Sequence, residues 1–467
     1  MEKLEINNGR LCMDGVDLAD LAKEYGTPLY VMSMATLERN IAEVKKAFLG
    51  DDAMTETDCA VAEFARAEAE TARAKTEVAY ASKAFLCTAM AQIIERSGLS
   101  LDVVSGGELF TALRAGFPPE RIIFHGSNKT PQEIEAAVLA GDVRIVVDAD
   151  GEVDMIERIY EKLVSEGRLA RRGADGADMP VRVLFRINPR VDIHGHEYIS
   201  TGKADSKFGF SIDEDVIYPA IGRAAAAERV RPVGVHFHVG SQVFDNTAHK
   251  AAVGEALKVV KGVKDRLGVE LSEVNVGGGF GIRYTDGDVR KPYSYFTDPI
   301  VGLVNEYCEA NGLAVPKVII EPGRSIVGDA GLTLYTVGSI REIAGIRKFV
   351  SVDGGMTDNI RPALYEAKYE AAIVNRAGEP VNETVTIVGK CCESGDMLIK
   401  DTRLAHAESG DILAVFTTGA YGYSMASNYN KQPIPAVVLV DGGKAQLIVR
   451  RQTYEELAAR DLPLSEH

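Results

Sequence analysis

A lysine sits inside a short apolar run in the first fifth of the chain, Ala79-Tyr80-Ala81-Ser82-Lys83-Ala84-Phe85. Burial disfavours the charged form of an amine and lowers its pKa, which suits a Schiff-base nucleophile. A lysine that snorkels to solvent from a strand end is the plainer alternative. Five further clusters hold side chains capable of chemistry. His236 and His238 stand two apart in His236-Phe237-His238-Val239-Gly240-Ser241 and face one side if the run is a strand. They could ligate a metal with a carboxylate, or one imidazole could stack on an aromatic cofactor. Gly277-Gly278-Gly279 offers backbone N–H groups without side-chain obstruction, as phosphate cradles do, although glycine triplets also make plain turns. Glu321-Pro322-Gly323-Arg324 carries a carboxylate that could pair with a protonated ring nitrogen and a guanidinium that could fork a carboxylate or phosphate. Each of these two is, taken alone, equally at home in an ordinary salt bridge. Arg361-Pro362-Ala363-Leu364-Tyr365 and Cys392-Glu393-Ser394-Gly395-Asp396 are turn-like and add an arginine, a tyrosine, a thiol and an acid, with a small buried hydrophobe as the bland reading of Cys392.

These residues need a scaffold that gathers them. Eight apolar, β-rich runs punctuate the first two-thirds of the chain: Val78–Phe85, Leu101–Ser105, Ile122–Gly126, Arg144–Asp148, Val181–Pro189, Val233–Gly240, Glu273–Gly279 and Lys317–Gly323. Helix-like stretches separate them: Ala89–Ser97, Gly107–Ala115, Pro131–Ala140, Val153–Glu166, Glu214–Arg229, Ala248–Leu267 and Pro299–Asn311. Continuous apolar strands alternating with helices imply a covered parallel sheet. Eight such units over about 250 residues fit a (β/α)8 barrel of the TIM type, with an open doubly wound sheet as the alternative. In a barrel the site lies at the C-terminal strand ends, where Lys83, Asp102, Ser105, Arg186, His236, the triglycine and Glu321 all fall. Beyond about residue 330 the runs Leu332–Glu342, Lys348–Asp353, Val385–Lys390, Asp411–Thr417, Ala436–Val440 and Ala445–Arg451 read as β segments, with Gly442-Gly443 as a hairpin turn. The expected organisation is therefore α/β plus β. A barrel occupies residues 33–330, and a mainly β domain combines 1–32 with 331–467. Asp51–Glu77, rich in Ala, Glu and Arg, reads as a solvated helical extension.

Composition narrows the function classes. The formal charge of −16 argues against a nucleic-acid partner. No stretch approaches the roughly 18–20 apolar residues of a membrane span, and Met1-Glu2-Lys3-Leu4-Glu5 has no signal-peptide core. The six cysteines (Cys12, Cys59, Cys87, Cys308, Cys391, Cys392) show no disulfide-framework or zinc spacing, so a cytoplasmic protein with reduced thiols and no metal is expected.

In order along the chain, Tyr80–Phe85, Asp102–Leu109, His125–Lys129, His236–Gln242, Gly277–Gly281, Glu321–Arg324, Asp353–Tyr365, Cys392–Asp396 and Tyr421-Gly422 resemble the motifs of the diaminopimelate decarboxylases, among the alanine-racemase-like (fold type III) enzymes of pyridoxal 5'-phosphate. The resemblance runs from about Tyr25 to Tyr454, apart from Asp51–Glu77. It implies that Lys83 carries the cofactor, that His238 stacks on its ring and that Glu321 keeps the ring nitrogen protonated. Ser241, Gly277, Gly278, Gly279, Gly323 and Arg324 would hold the phosphate. Tyr421 would touch both cofactor and substrate. It further implies that Arg324, Arg361 and Tyr365 grip the substrate's non-reacting carboxylate, that Glu393 takes its ammonium, and that Cys392, rather than the adjacent Cys391, donates the proton. Cys392 and Glu393 would serve the partner's site in a homodimer, and the loop Glu197–Gly202 would sense the substrate. The implied reaction takes CO2 from meso-2,6-diaminopimelate to leave L-lysine, the last step of lysine biosynthesis. Ornithine- or lysine-type decarboxylases are the nearest rival, and Glu393 with Arg361 speaks against them. A metal-dependent barrel hydrolase and a non-catalytic relative are more distant. The latter would be expected to have lost Lys83 or Cys392.

Overall fold

The computed structural model describes residues 4–49, 74–169, 179–191 and 206–465. Most of Asp51–Glu77, and all of the Glu197–Gly202 loop with His194 and His196, lie outside the described residues. Contacts divide the chain into two compact units. One holds Met1–Asn40, Ile282–Val289 and Arg324–His467, and the other holds Ile41–Gly281 and Arg290–Gly323.

The second unit is a closed barrel. Its eight parallel strands are Thr76–Ala81, Ser100–Val103, Ile122–Phe124, Arg144–Val147, Val181–Asn188, Val230–His236, Glu273–Asn275 and Lys317–Ile320. Each pairs with its neighbour in sequence, the eighth pairs with the first, and the ring is complete. Every expected run is present, but each strand stops before the expected end. The residues that follow, such as Phe85, Val239 and Val276, are buried in loops, so their apolarity extended the apparent strands. The interior is packed by Ala79, Ile123, Val146, Leu184, Val233 and Ile319, inward residues of six strands.

Helices fill the connections after strands one to seven, and local chemistry sets their ends. Thr130 and Glu133 form a capping box ahead of Pro131, and Ser105 accepts from Glu108 N–H at the start of Gly106–Arg114. The helix expected to reach Arg229 ends at Ala226, and the helix expected from Pro299 begins at Tyr293. Pro299 cannot bond the carbonyl four residues back, and Asn246 Nδ2 donates to that Tyr295 carbonyl instead, at 2.7 Å.

The other unit is mainly β. Gly331–Ile343 pairs with Arg347–Val352, Ile412–Val415 and Leu29–Ser33, and Ala436–Asp441 lies parallel to Leu29–Ser33. The early strand therefore belongs to this sheet. Gly442 and Gly443 turn the final hairpin with φ of 51° and 81°, the doubly positive geometry that glycine tolerates. Met397–Ala405, opposite Val381–Val388, was not expected as a strand because its outward face is polar. Among the described residues no helix is long and apolar enough to cross a membrane.

Candidate active site

At the C-terminal end of the barrel, Glu321 is the hub. It follows strand eight and is 7% exposed. Its Oε1 accepts from His125 Nε2 and from Asn275 Nδ2, each at 2.7 Å, and His236 Nε2 lies 3.3 Å from Oε2. Burial alone would raise the carboxyl pKa, but the two imidazoles outweigh it and hold Glu321 well below the usual carboxylate range. Asp102, on strand two, is 3.7 Å from His125 and goes the other way. Burial, helped by the charge of Glu321, lifts it to about 7 against the pull of His125 and Lys83. Burial pushes His236 down to about 3 and His238 well below its ordinary value, and the Lys83 charge adds to the effect on His238.

Lys83 differs from the sequence expectation. Strand one ends at Ala81, and Ser82–Ala84 form a 3-10 turn that buries its two neighbours and leaves Lys83 exposed. The lysine is thus accessible and near enough to Asp102 and His238 to act on both electrostatically. It is not sunk in the apolar run that surrounds it in sequence. The turn itself is held by Ser82 Oγ, which donates to Glu108 Oε2 at 2.7 Å.

The triglycine is a close-packed backbone turn with φ of 67° at Gly277 and 97° at Gly279. A Cβ on Gly278 would stand 2.0 Å from the Glu321 carbonyl oxygen, and one on Gly279 2.0 Å from that of Gly240. Val243 N–H donates to Gly279 O and Gly281 N–H to Val243 O, which ties the loop carrying Ser241 to the turn. Gly278 N–H donates to His238 Nδ1 at 3.3 Å, so the ring nitrogen must be unprotonated there, in keeping with a neutral imidazole. A Cβ on Gly323 would come within 3.0 Å of Ala81 and 3.1 Å of Ala84, a tight fit.

The metal reading of His236 with His238 is not the cluster that forms. Among the described residues, His125, His236 and Glu321 are the groups whose ligand atoms come within 4.8 Å of one another; His125 hydrogen-bonds Glu321, and His236 Nε2 stands 3.3 Å from its other oxygen.

The β unit carries its own cluster. Arg361 opens the short helix Arg361–Tyr365 and is 7% exposed; Arg324 is 8% exposed. Arg324 Nη1 donates to Tyr284 Oη at 2.5 Å, Arg361 Nη1 donates to the same oxygen at 3.1 Å, and Arg361 also reaches Tyr369 Oη. Tyr421, at φ 63°, lies 4.8 Å from the Arg324 guanidinium and 5.9 Å from that of Arg361. Among the described residues Arg361 makes no ion pair with a carboxylate. Tyr365 is half-buried at the helix end.

Cys392 and Glu393 are exposed on the turn after Val381–Val388. Buried Asp396 staples that turn to the loop before Arg361, accepting from Met356 N–H at 2.6 Å and Cys391 N–H at 2.8 Å. Burial, with Asp396 beside it, pushes the Cys391 thiol up to about 11. The two adjacent thiols therefore have unlike surroundings.

Sequence reasoning named His125 within a motif and gave it no role, and it missed Asn275, Tyr284 and Tyr369. Asn275 had a signal: it interrupts the apolar Val274-Asn275-Val276 as Lys83 interrupts its own run. The tyrosines had none.

A family model for the pyridoxal-binding domain of pyridoxal-dependent decarboxylases matches residues 60–328. The diaminopimelate decarboxylase of Bacillus subtilis is 46% identical over 98% of this chain and 96% of its own. That of Staphylococcus aureus is 40% identical over 97% and 98%. The crystal structure of diaminopimelate decarboxylase from m. jannaschii in complex with L-lysine superposes with a TM-score of 0.86 at 35% identity, covering 99% of this chain and 98% of that one.

Proposed function

Since this chain belongs to the diaminopimelate decarboxylases, pyridoxal-phosphate-dependent lyases, we propose a division of its site residues between holding the cofactor and recognising a substrate with a second amino-acid centre. Its reaction takes CO2 from meso-2,6-diaminopimelate and leaves L-lysine. The residues at the barrel end fit the cofactor: an accessible lysine, a neutral imidazole at His238, an ionised acid at Glu321 and a glycine turn too tight for any Cβ. Bound there, pyridoxal phosphate would supply an electron sink for the pair left when CO2 departs.

The chain's own residues do the rest. Lys83 would hold the cofactor, and its accessible amine is the group that a substrate amine would replace. Glu321, kept anionic by its imidazole and amide donors, would hold a proton on the ring nitrogen. Gly277–Gly279, Ser241 and the Gly323-Arg324 backbone would hold the phosphate, and His238 would lie against the ring. Arg324, Arg361, Tyr365 and Tyr421 orient the carboxylate that is retained, while Glu393 takes the distal ammonium. Cys392 gives its proton to Cα as general acid.

One observation carries the substrate reading: Arg361 is a buried cation whose partners here are hydroxyls, so an incoming carboxylate would complete it. Exposure of Cys392 and Glu393 on a single protomer supports a homodimer in which they serve the partner's site. The buried free thiols Cys12, Cys87 and Cys308 support a reducing, cytoplasmic setting.

Lys83→Ala and Cys392→Ala test the assignment together. Each alone is expected to lose more than about a thousandfold in CO2 release from meso-diaminopimelate. If sites are shared, mixing and reassociating the two should restore up to about a quarter of wild-type activity, because a mixed dimer has one intact site. No recovery after confirmed exchange would sink the shared site, and an active Lys83→Ala would sink the role of the lysine.

A further inference from the structure

Tyr284 has no assigned part in this chemistry, yet it sits between the two arginines. Its backbone is fixed first. Asp288 Oδ2 accepts from Tyr284 N–H and Thr285 N–H, each at 3.0 Å, locking the turn from which the ring projects. The ring is buried, with Tyr369 edge-on at a centroid distance of 5.5 Å. The guanidinium of Arg361 lies 5.1 Å from its centroid and that of Arg324 5.7 Å.

The hydrogen-bond inventory of a phenol then becomes informative. The oxygen has acceptor capacity and one proton. Here it accepts from Arg324 Nη1 at 2.5 Å and from Arg361 Nη1 at 3.1 Å, which takes up its acceptor capacity. The O–H remains, and among the described residues no acceptor is recorded for it. Two buried cations converge on this oxygen, so the acceptor that best suits the vacant direction is an anion. Burial alone would raise the phenol pKa, but the two arginines outweigh it, which makes the O–H a stronger donor.

We propose that Tyr284 is a further carboxylate-binding residue of the substrate site: its oxygen aligns Arg324 with Arg361, and its O–H donates to the carboxylate that they grip. This deepens the reading of Arg324 and Arg361 given above and rests on it. It also makes Tyr284 a specificity determinant, because a ligand without that carboxylate leaves the donor unused.

The test is binding to the cofactor-loaded enzyme, followed by the cofactor's absorbance. L-lysine keeps the carboxylate, and pentane-1,5-diamine is the same chain without it. Tyr284→Phe is expected to weaken L-lysine ~10–100-fold, the range for a hydrogen bond to a charged group, and to leave the diamine within about threefold. For turnover of meso-diaminopimelate, KM should rise by a similar factor while kcat changes much less. Combined with Arg361→Met, the two losses should fall short of multiplying, as expected for groups on one carboxylate. L-lysine affinity unchanged in Tyr284→Phe, or both ligands weakened equally, overturns the proposal. If Arg361→Met also leaves L-lysine unaffected, the carboxylate reading itself has failed. A crystal structure of the wild-type L-lysine complex decides the matter even if the variant does not fold. Tyr284 Oη is expected about 2.5–2.7 Å from a carboxylate oxygen, and a separation beyond about 4 Å overturns it.

Discussion

The two ends of the barrel both bury charge, and they bury it differently. At the N-terminal end, Glu77, Arg144, Glu273 and Lys317 come from the starts of strands one, four, seven and eight. Arg144, 1% exposed, bonds both oxygens of Glu77 and lies 3.2 Å from Glu273; Lys317 reaches Glu77 at 2.5 Å and Glu273 at 3.1 Å. Two cations meet two anions in a closed ring. Burial would raise Glu77, but Arg144 outweighs it and takes the acid down to about 2. At the C-terminal end, Asp102 and Glu321 share one short-range partner, His125, and their pKa values are driven apart. Asp102 Oδ1 and His236 Nδ1 have no hydrogen-bond partner among the described residues. A balanced network settles every group into its ordinary charge state. An unbalanced one perturbs them, and perturbed pairs of this kind gather where chemistry is done. The fold tolerates the second because strand ends and loops there are free of the duty to close the barrel.

The sharpest way to break that contrast is to neutralise one acid at the working end. Glu321→Gln keeps the shape and removes the charge that the His125 and Asn275 donors stabilise. Cofactor binding should survive, since Lys83 and the glycine turn are untouched, while kcat falls about a hundredfold or more. Cofactor content by absorbance together with steady-state rates checks this. A variant that keeps its rate would show that the carboxylate is structural, like those at the other end.

Arg144→Met attacks the opposite end and should show the opposite pattern. Breaking a buried pair from one side typically costs about 3–5 kcal/mol, because Glu77 and Glu273 are left with Lys317 as the one cation between two buried acids. Urea denaturation should report a loss on that scale, with kcat per folded molecule within about twofold of wild type. A large drop in kcat at full occupancy would mean that the two ends are coupled through the barrel.

The barrel was legible because each strand is buried on both faces and so reads as an unbroken apolar run. Strand ends were not, because loops at the working end keep apolar residues such as Val239 and Val276 in the core. In the β unit, Met397–Ala405 escaped notice because Lys400, Asp401 and Arg403 break the apolar pattern. The residues proposed for the chemistry stand out through their order along the chain, which a resemblance can match. Their partners were not: His125 and Glu321 are 196 residues apart, and Tyr284 and Arg361 are 77 apart. No local period connects such pairs, and the topology alone brings them together. Lys83 shows the limit from the other side. Its neighbours in sequence are buried, but a three-residue turn at the strand end exposes it.

A smaller effect tests the contrast by its sign. Asp102 is raised from the ordinary 3.8 to about 7, so its charged form is disfavoured in the fold. The stability linked to it is present below about pH 4 and is lost as pH rises through 7. Glu77 is lowered from the ordinary 4.5 to about 2, so its contribution is present above about pH 4.5 and is lost as pH falls toward 2. At pH 8, Asp102→Asn should therefore leave stability unchanged or raise it by up to about 1 kcal/mol, the scale set by exchanging an unfavourable buried charge for a neutral amide. Glu77→Gln should lower it and flatten the acid side of the curve. Chemical denaturation of both variants at pH 8 and pH 5 separates the cases. Were both substitutions to destabilise alike at pH 8, Asp102 would be paired as securely as Glu77. The imbalance at the working end would then have to lie among the imidazoles around Glu321 alone.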